Sequence, residues 1–168
     1  MSTWTSAIFA LIGVVVGGVL SYLANLHKTR IEKTWERDRN ILDKLEELYS
    51  LTEEVSEGFT FTASQGMMKA RYDKKPDDHS KIPIAKMKML VVMYAPEATP
   101  LIIAFDEAWN QFSKHYSSAI TSSKLQKSQA QILSQQLFDS SDKISDVCQQ
   151  IQACTLDIVK SLKVSRTK

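Results

Sequence analysis

Glycine, proline and cysteine are scarce in this chain, whose 168 residues hold 5 Gly, 4 Pro and 2 Cys. So few turn formers argue against a sheet of many short strands and for long helices. Two cysteines cannot build a disulfide framework. Cys148 and Cys154 fall in one predicted helix, about 120° apart around its axis, so they cannot bridge within it. They are expected as free thiols in a reducing compartment.

Histidine is nearly absent too. His27, His79 and His115 share no i, i+4 spacing, and there is no H-E-x-x-H or Glu-x-x-His pair, which excludes the usual helical zinc and di-iron sites. His115 reads as a partly exposed helix residue. Asp139, Asp142 and Asp146 share a helix face but read as a solvated acidic stripe. Asp77-Asp78-His79 lacks the ligand count of a calcium loop. No G-x-x-x-x-G-K, G-x-G-x-x-G or G-x-S-x-G occurs, so neither a phosphate cradle nor a nucleophile elbow is available. The expectation is a protein that is not an enzyme, with no cofactor and no metal.

Charge is missing from one long stretch. Met1 to Leu26 carries no charged side chain, and Ala7 to Leu26 is apolar or small almost throughout. About twenty such residues in a helix rise about 30 Å, the hydrocarbon thickness of a bilayer. A single transmembrane helix over 1–26 is therefore expected. No Lys or Arg precedes it, whereas Lys28, Arg30, Lys33, Arg37 and Arg39 follow, so the N-terminus is placed outside and the remainder in the cytoplasm, at the inner membrane. Lys28, Arg30 and Lys33 are expected at the lipid surface. A cleaved signal peptide fits less well, because a basic n-region is missing and the apolar run is long. Gly13, Gly17, Ser21 and Asn25 recur every four residues, a stripe for close helix packing in the membrane and hence for a homo-oligomer.

The remaining residues, 27–168, are enough for one compact domain. Its 21 basic and 19 acidic residues across the chain leave a net charge of +2, which argues against nucleic acid as a partner. Ile31, Trp35, Ile41, Leu42, Leu45, Leu48, Tyr49, Thr52 and Val55 follow three- and four-residue steps, the mark of an amphipathic helix continuing from the span. The heptad-like part, Ile41 to Val55, is too short to establish a coiled coil. Gly58 and Gly66 weaken the pattern, Phe59-Thr60-Phe61-Thr62 favours no period, and helix is expected to about Tyr72. Asp73 to Lys81 reads as a loop broken at Pro76.

Ile82 to Ala95, too short to span a bilayer, reads as a buried core helix; its Met87, Met89 and Met93, with Met67 and Met68, are expected to fill core. Thr99 and Pro100 read as an N-cap and first helical residue. Leu101, Ile102, Phe105, Trp109, Phe112, Tyr116 and Ile120 form the next stripe. A last helix runs from about Lys124 to Val164 on Leu133, Leu137, Ile144, Val147, Ile151, Ile158 and Leu162. The fold class is all-α, an antiparallel bundle of four helices if the chain reverses at Pro96–Pro100, or of three long ones if it only kinks there. In the four-helix case the basic tail (Lys160, Lys163, Arg166, Lys168) returns to the inner leaflet; in the three-helix case it points away from the membrane.

From these features the leading expectation is a single-pass membrane protein whose bundle binds a protein partner and whose span contacts lipid and localises or oligomerises it. The alternatives are a membrane-active effector of the phage-defence or toxin type, assembled through its span, and a ligand-sensing bundle with Trp109, Phe112 and Tyr116 lining the site.

Overall fold

A computed structural model describes residues 3–75, 81–121 and 125–165, with side chains from 16 to 163 within these ranges. Every regular element in it is helical: α1 (Thr3–Tyr72), α2 (Ile84–Tyr94), a 3-10 turn at Pro96–Ala98, α3 (Thr99–Thr121) and α4 (Lys127–Ser165). Two compact units are present, Met1–Ile41 and Leu42–Lys168. The first is built from α1 alone. The division expected at Leu26 is one between lipid and water, which packing does not test.

α1 meets no proline before Pro76, so nothing interrupts its hydrogen-bond ladder. It stops where Asp73 turns left-handed at φ 53°, a conformation that Asp tolerates better than most residues. The Asp73 amide still donates to the Lys69 carbonyl at 2.9 Å, and the Lys69 ammonium pairs with the Asp73 carboxylate.

Within the second unit the direction of each helix follows from its partners. Ile82 packs on Gly58, and Lys86 binds Glu47, so α2 runs back along α1. Lys88 pairs with Asp106, Phe105 meets Phe59, and Tyr116 lies on Gly66, so α3 runs parallel to α1. Arg71 donates to Ser134, Ser56 to Ser145, and Gln152 to the Tyr49 carbonyl, so α4 runs antiparallel again. The chain reverses at Pro96–Pro100, giving four helices in up-down-up-down order. Lys163 accordingly lines a groove with Leu42 and Glu46; Arg166 and Lys168 lie outside the described residues.

One detail of that reversal differs from expectation. Thr99 has helical dihedrals, φ −55° and ψ −38°, and is the first residue of α3 rather than its N-cap. The 3-10 turn supplies the start instead, with Pro96 at its head and the Ala98 amide bonded to the Ala95 carbonyl at 2.9 Å.

The core is a layer of fully buried Leu45, Leu48, Val55, Phe59, Met87, Val91, Phe105, Leu137, Ile144 and Ile151. Phe59 is its centre: edge-to-face rings approach from Trp109 and Phe112 at 5.1 Å each and from Phe105 at 6.0 Å. Such pairs add to what area burial alone contributes. Gly66 is as important by what it lacks. A Cβ there would stand 2.9 Å from Leu137 Cδ1 and 3.0 Å from the Tyr116 ring, so the missing side chain lets α3 and α4 close on α1.

Several expected core positions are not core. Ile31 and Trp35 are exposed, Trp35 by 72%, and Tyr49 and Ile120 keep more than a third of their surface. Met87 is buried, Met67 and Met68 are half-buried, and Met89 and Met93 face outward. The reason for the methionines is the 100° helical step: Met87, Leu90 and Val91 already fill the inward arc of α2.

Candidate functional site

The longest uncovered surface belongs to α1 in the first unit. From Val16 to Leu26 every described side chain is exposed, among them Val16, Val19, Leu20, Tyr22, Leu23 and Leu26. Gly17 and Gly18 have open space where a Cβ would go. Gly17, Ser21 and Asn25 keep their four-residue spacing on the helix; Gly13 and Ala7 to Val15 lie outside the residues whose side chains are described. Asn25 contributes its carbonyl to the Thr29 hydroxyl at 2.9 Å.

Charge then begins at once. Lys28 sits 3.8 Å from Glu32, and Arg30 and Lys33 are solvent-exposed beside it. Among the described residues no helix is long and apolar enough to cross a membrane. The apolar run that is described starts at Val16 and meets Lys28 before reaching the length a bilayer requires.

In the bundle, the most strongly organised ionic site is Glu47 on α1. It takes Lys44 at 2.7 Å and Lys86 of α2 at 2.6 Å. The hydrogen bonds from these two ammonium groups hold its carboxyl down at about 2, and the bond to Glu47 raises Lys44 in turn. The arrangement ties α2 to α1 and does not resemble a general acid or base, which would be tuned towards neutrality.

The aromatic stripe of α3 does line a space. Trp109, Phe112 and Tyr116, with Phe59, Thr62 and Ile82, border a space of about 290 Å³ that is partly open at the surface; Phe59 is itself in edge-to-face contact with Trp109 and Phe112, so the space lies beside these rings and not between them. Phe112 and Tyr116 stack at 6.0 Å with 10° between their planes. Burial raises the Tyr116 hydroxyl above its usual range, so it remains a neutral phenol.

The other expected groups are inert or dispersed. His115 is half-buried, with Nδ1 2.9 Å from the Ser140 hydroxyl; His27 is exposed, and His79 lies outside the described residues with Asp77 and Asp78. Asp139 accepts from Gln135 at 2.8 Å. No three His, Cys, Asp or Glu side chains among the described residues converge on a metal position. Cys148 is buried and pushed up to about 12 by desolvation, while burial, then Glu97 and Asp157, raise the half-buried Cys154. Both are free thiols, neither with the lowered pKa of a nucleophile.

Sequence reasoning placed Thr52 on the inward stripe of α1 and missed the rest of the small polar core. Thr52, Thr62, Ser134, Ser140, Ser141 and Thr155 are buried. Most satisfy their hydroxyls on a backbone carbonyl three or four residues back, as in Thr155 to Ile151 at 2.8 Å. Ser141 Oγ is the exception, without a partner among the described residues.

No protein-family model, curated protein or solved structure matches the chain.

Proposed function

We propose that the chain is a non-enzymatic, single-pass membrane protein, with its N-terminus outside the inner membrane and its bundle in the cytoplasm. The span localises or oligomerises it, and the bundle binds a protein partner. The observation that carries this reading is the start of α1: an uncharged apolar sequence continues into Val16–Leu26 with no described side chain covered, and cations follow directly. Leaving such a helix face in water forgoes about 25 cal/mol for each Å² of apolar surface that could be buried. Lipid, or another copy of the helix packed on Gly13, Gly17, Ser21 and Asn25, removes that cost. Lys28, Arg30 and Lys33 then meet anionic headgroups, each contributing about 1 kcal/mol.

In-cell crosslinking followed by affinity purification in mild detergent and mass spectrometry tests the partner. One dominant foreign protein supports the reading. Recovery of the chain only as a defined oligomer would replace it with a self-assembling membrane-active effector.

A second reading has an observation of its own. The space of about 290 Å³ beside Trp109, Phe112 and Tyr116 lies at the lower edge of the sizes that hold small molecules. In that reading the bundle senses a compact apolar ligand. Trp109 fluorescence that shifts saturably with a non-fluorescent candidate such as cyclohexanol supports it; a response equal to that of free tryptophan ends it.

A further inference from the structure

At the far end of the bundle, where α1 stops and α4 starts, a cleft of about 540 Å³ opens among Arg71, Tyr72, Leu125, Lys127, Ala130 and Gln131. Among the described residues that line it, the two charged side chains, Arg71 and Lys127, are both basic. The acid next in sequence, Asp73, is engaged by Lys69, and among the described residues neither Arg71 nor Lys127 has a carboxylate partner. Arg71 is also held in place: its Nε donates to Ser134 Oγ at 3.2 Å, and that hydroxyl donates to the Ala130 carbonyl at 2.6 Å. A guanidinium anchored through Nε keeps its terminal nitrogens for a planar or tetrahedral anion, which it can grip through two parallel bonds. Lys127 adds a second cation, Gln131 an amide donor, and Leu125 and Ala130 an apolar floor, with the Tyr72 ring at the side.

We infer that this cleft binds a small organic anion, a carboxylate or phosphate group on an apolar or aromatic body. The anionic group sits between Arg71 and Lys127, and the body covers Leu125 and Ala130. A volume of about 540 Å³ is within the ordinary range for such ligands. This inference is independent of the membrane reading.

The test is a titration of the full-length, nitrogen-15-labelled chain in mild detergent with phenyl phosphate, benzoate and neutral benzyl alcohol, followed by amide chemical shifts. Saturable shifts at Leu125, Lys127, Ala130 and Gln131 are expected for an anion and not for benzyl alcohol, and added salt weakens them. Which of the two anions binds more tightly separates phosphate from carboxylate recognition. Arg71→Gln and Lys127→Gln should each raise Kd at least about tenfold, the equivalent of one lost charge-assisted contact. Among the described residues Lys127 makes no hydrogen bond or ion pair to α1, so its variant remains informative even where Arg71→Gln unfolds. Absence of saturation by about 10 mM of either anion, equal binding of benzyl alcohol, or unchanged affinity in Lys127→Gln would overturn the assignment.

Discussion

Replacing Phe59 by alanine removes the ring around which the bundle is packed. The side chain is fully buried and meets three other aromatic rings edge-on. Truncating a buried Phe to Ala costs about 3–5 kcal/mol through lost transfer energy and the cavity left behind. The edge-to-face pairs, each contributing about 0.5–1.5 kcal/mol beyond area, place this site in the upper part of that range. A loss of about 4–5 kcal/mol is therefore expected, a large share of the roughly 5–15 kcal/mol available to a domain. Phe61 is the internal control. Two residues on, it has turned about 200° around α1 and is 48% exposed, so Phe61→Ala should change stability by no more than about 0.5 kcal/mol. Phe59→Leu should fall between, because it keeps apolar volume and loses the ring contacts. Urea unfolding of the full-length chain measures all three, read by Trp109 fluorescence in a background with Trp4 and Trp35 changed to Phe. A loss below about 1 kcal/mol for Phe59→Ala, or one equal to that of Phe61→Ala, would refute the assignment of Phe59 as the packing centre.

Four further outcomes follow from the same structure. Glu47 has its carboxyl held near 2 against an ordinary 4.5, so its ion pairs stabilise the fold fully above pH 4.5 and lose that effect as pH falls towards 2; in Glu47→Gln, thermal melts across that window should show a shallower pH dependence, and a slope identical to wild type would contradict this. Gly66→Val forces a branched side chain into the 2.9 Å gap to Leu137 and should destabilise by at least about 1–3 kcal/mol by denaturant melt. Ser141→Ala removes a buried hydroxyl without a partner among the described residues and should be neutral or raise stability by up to about 1 kcal/mol, whereas a loss of more than about 1 kcal/mol would reveal a bond. Cys148 should resist maleimide at pH 8 in the folded protein while Cys154 reacts faster, because a thiol pushed up to about 12 and buried supplies almost no thiolate; mass spectrometry of labelled peptides reads the order.

The fold class was legible because few residues compete with helix; the reversal falls between Pro96 and Pro100, which cannot continue a helix, and α1 ends at Tyr72 before Asp73, which tolerates the left-handed turn. What the sequence hid was depth. Ser134, Ser140 and Thr155 sit in the core although their hydroxyls mark them as surface, since a helical hydroxyl can be satisfied by its own preceding turn. Gly66 looked like a helix weakener and is instead a packing notch, a role set by Tyr116 and Leu137, distant in sequence. Trp35 continues the apolar stripe on α1, yet no other helix of its unit covers it. Trp109, Phe112 and Tyr116, which only the ligand-sensing alternative assigns to a site, border one space, whereas the cleft at Arg71 and Lys127 joins residues from two helices that no spacing rule connects.

The central claim is membrane anchoring through the start of α1. Its most direct test is alkaline carbonate extraction of membranes from cells making the full-length chain with green fluorescent protein at its C-terminus. The account predicts that the chain stays in the membrane pellet and that the reporter fluoresces, as it does only when folded in the cytoplasm. Release of the chain into the supernatant, or a pelleted chain with a dark reporter outside, would contradict the anchor or its orientation.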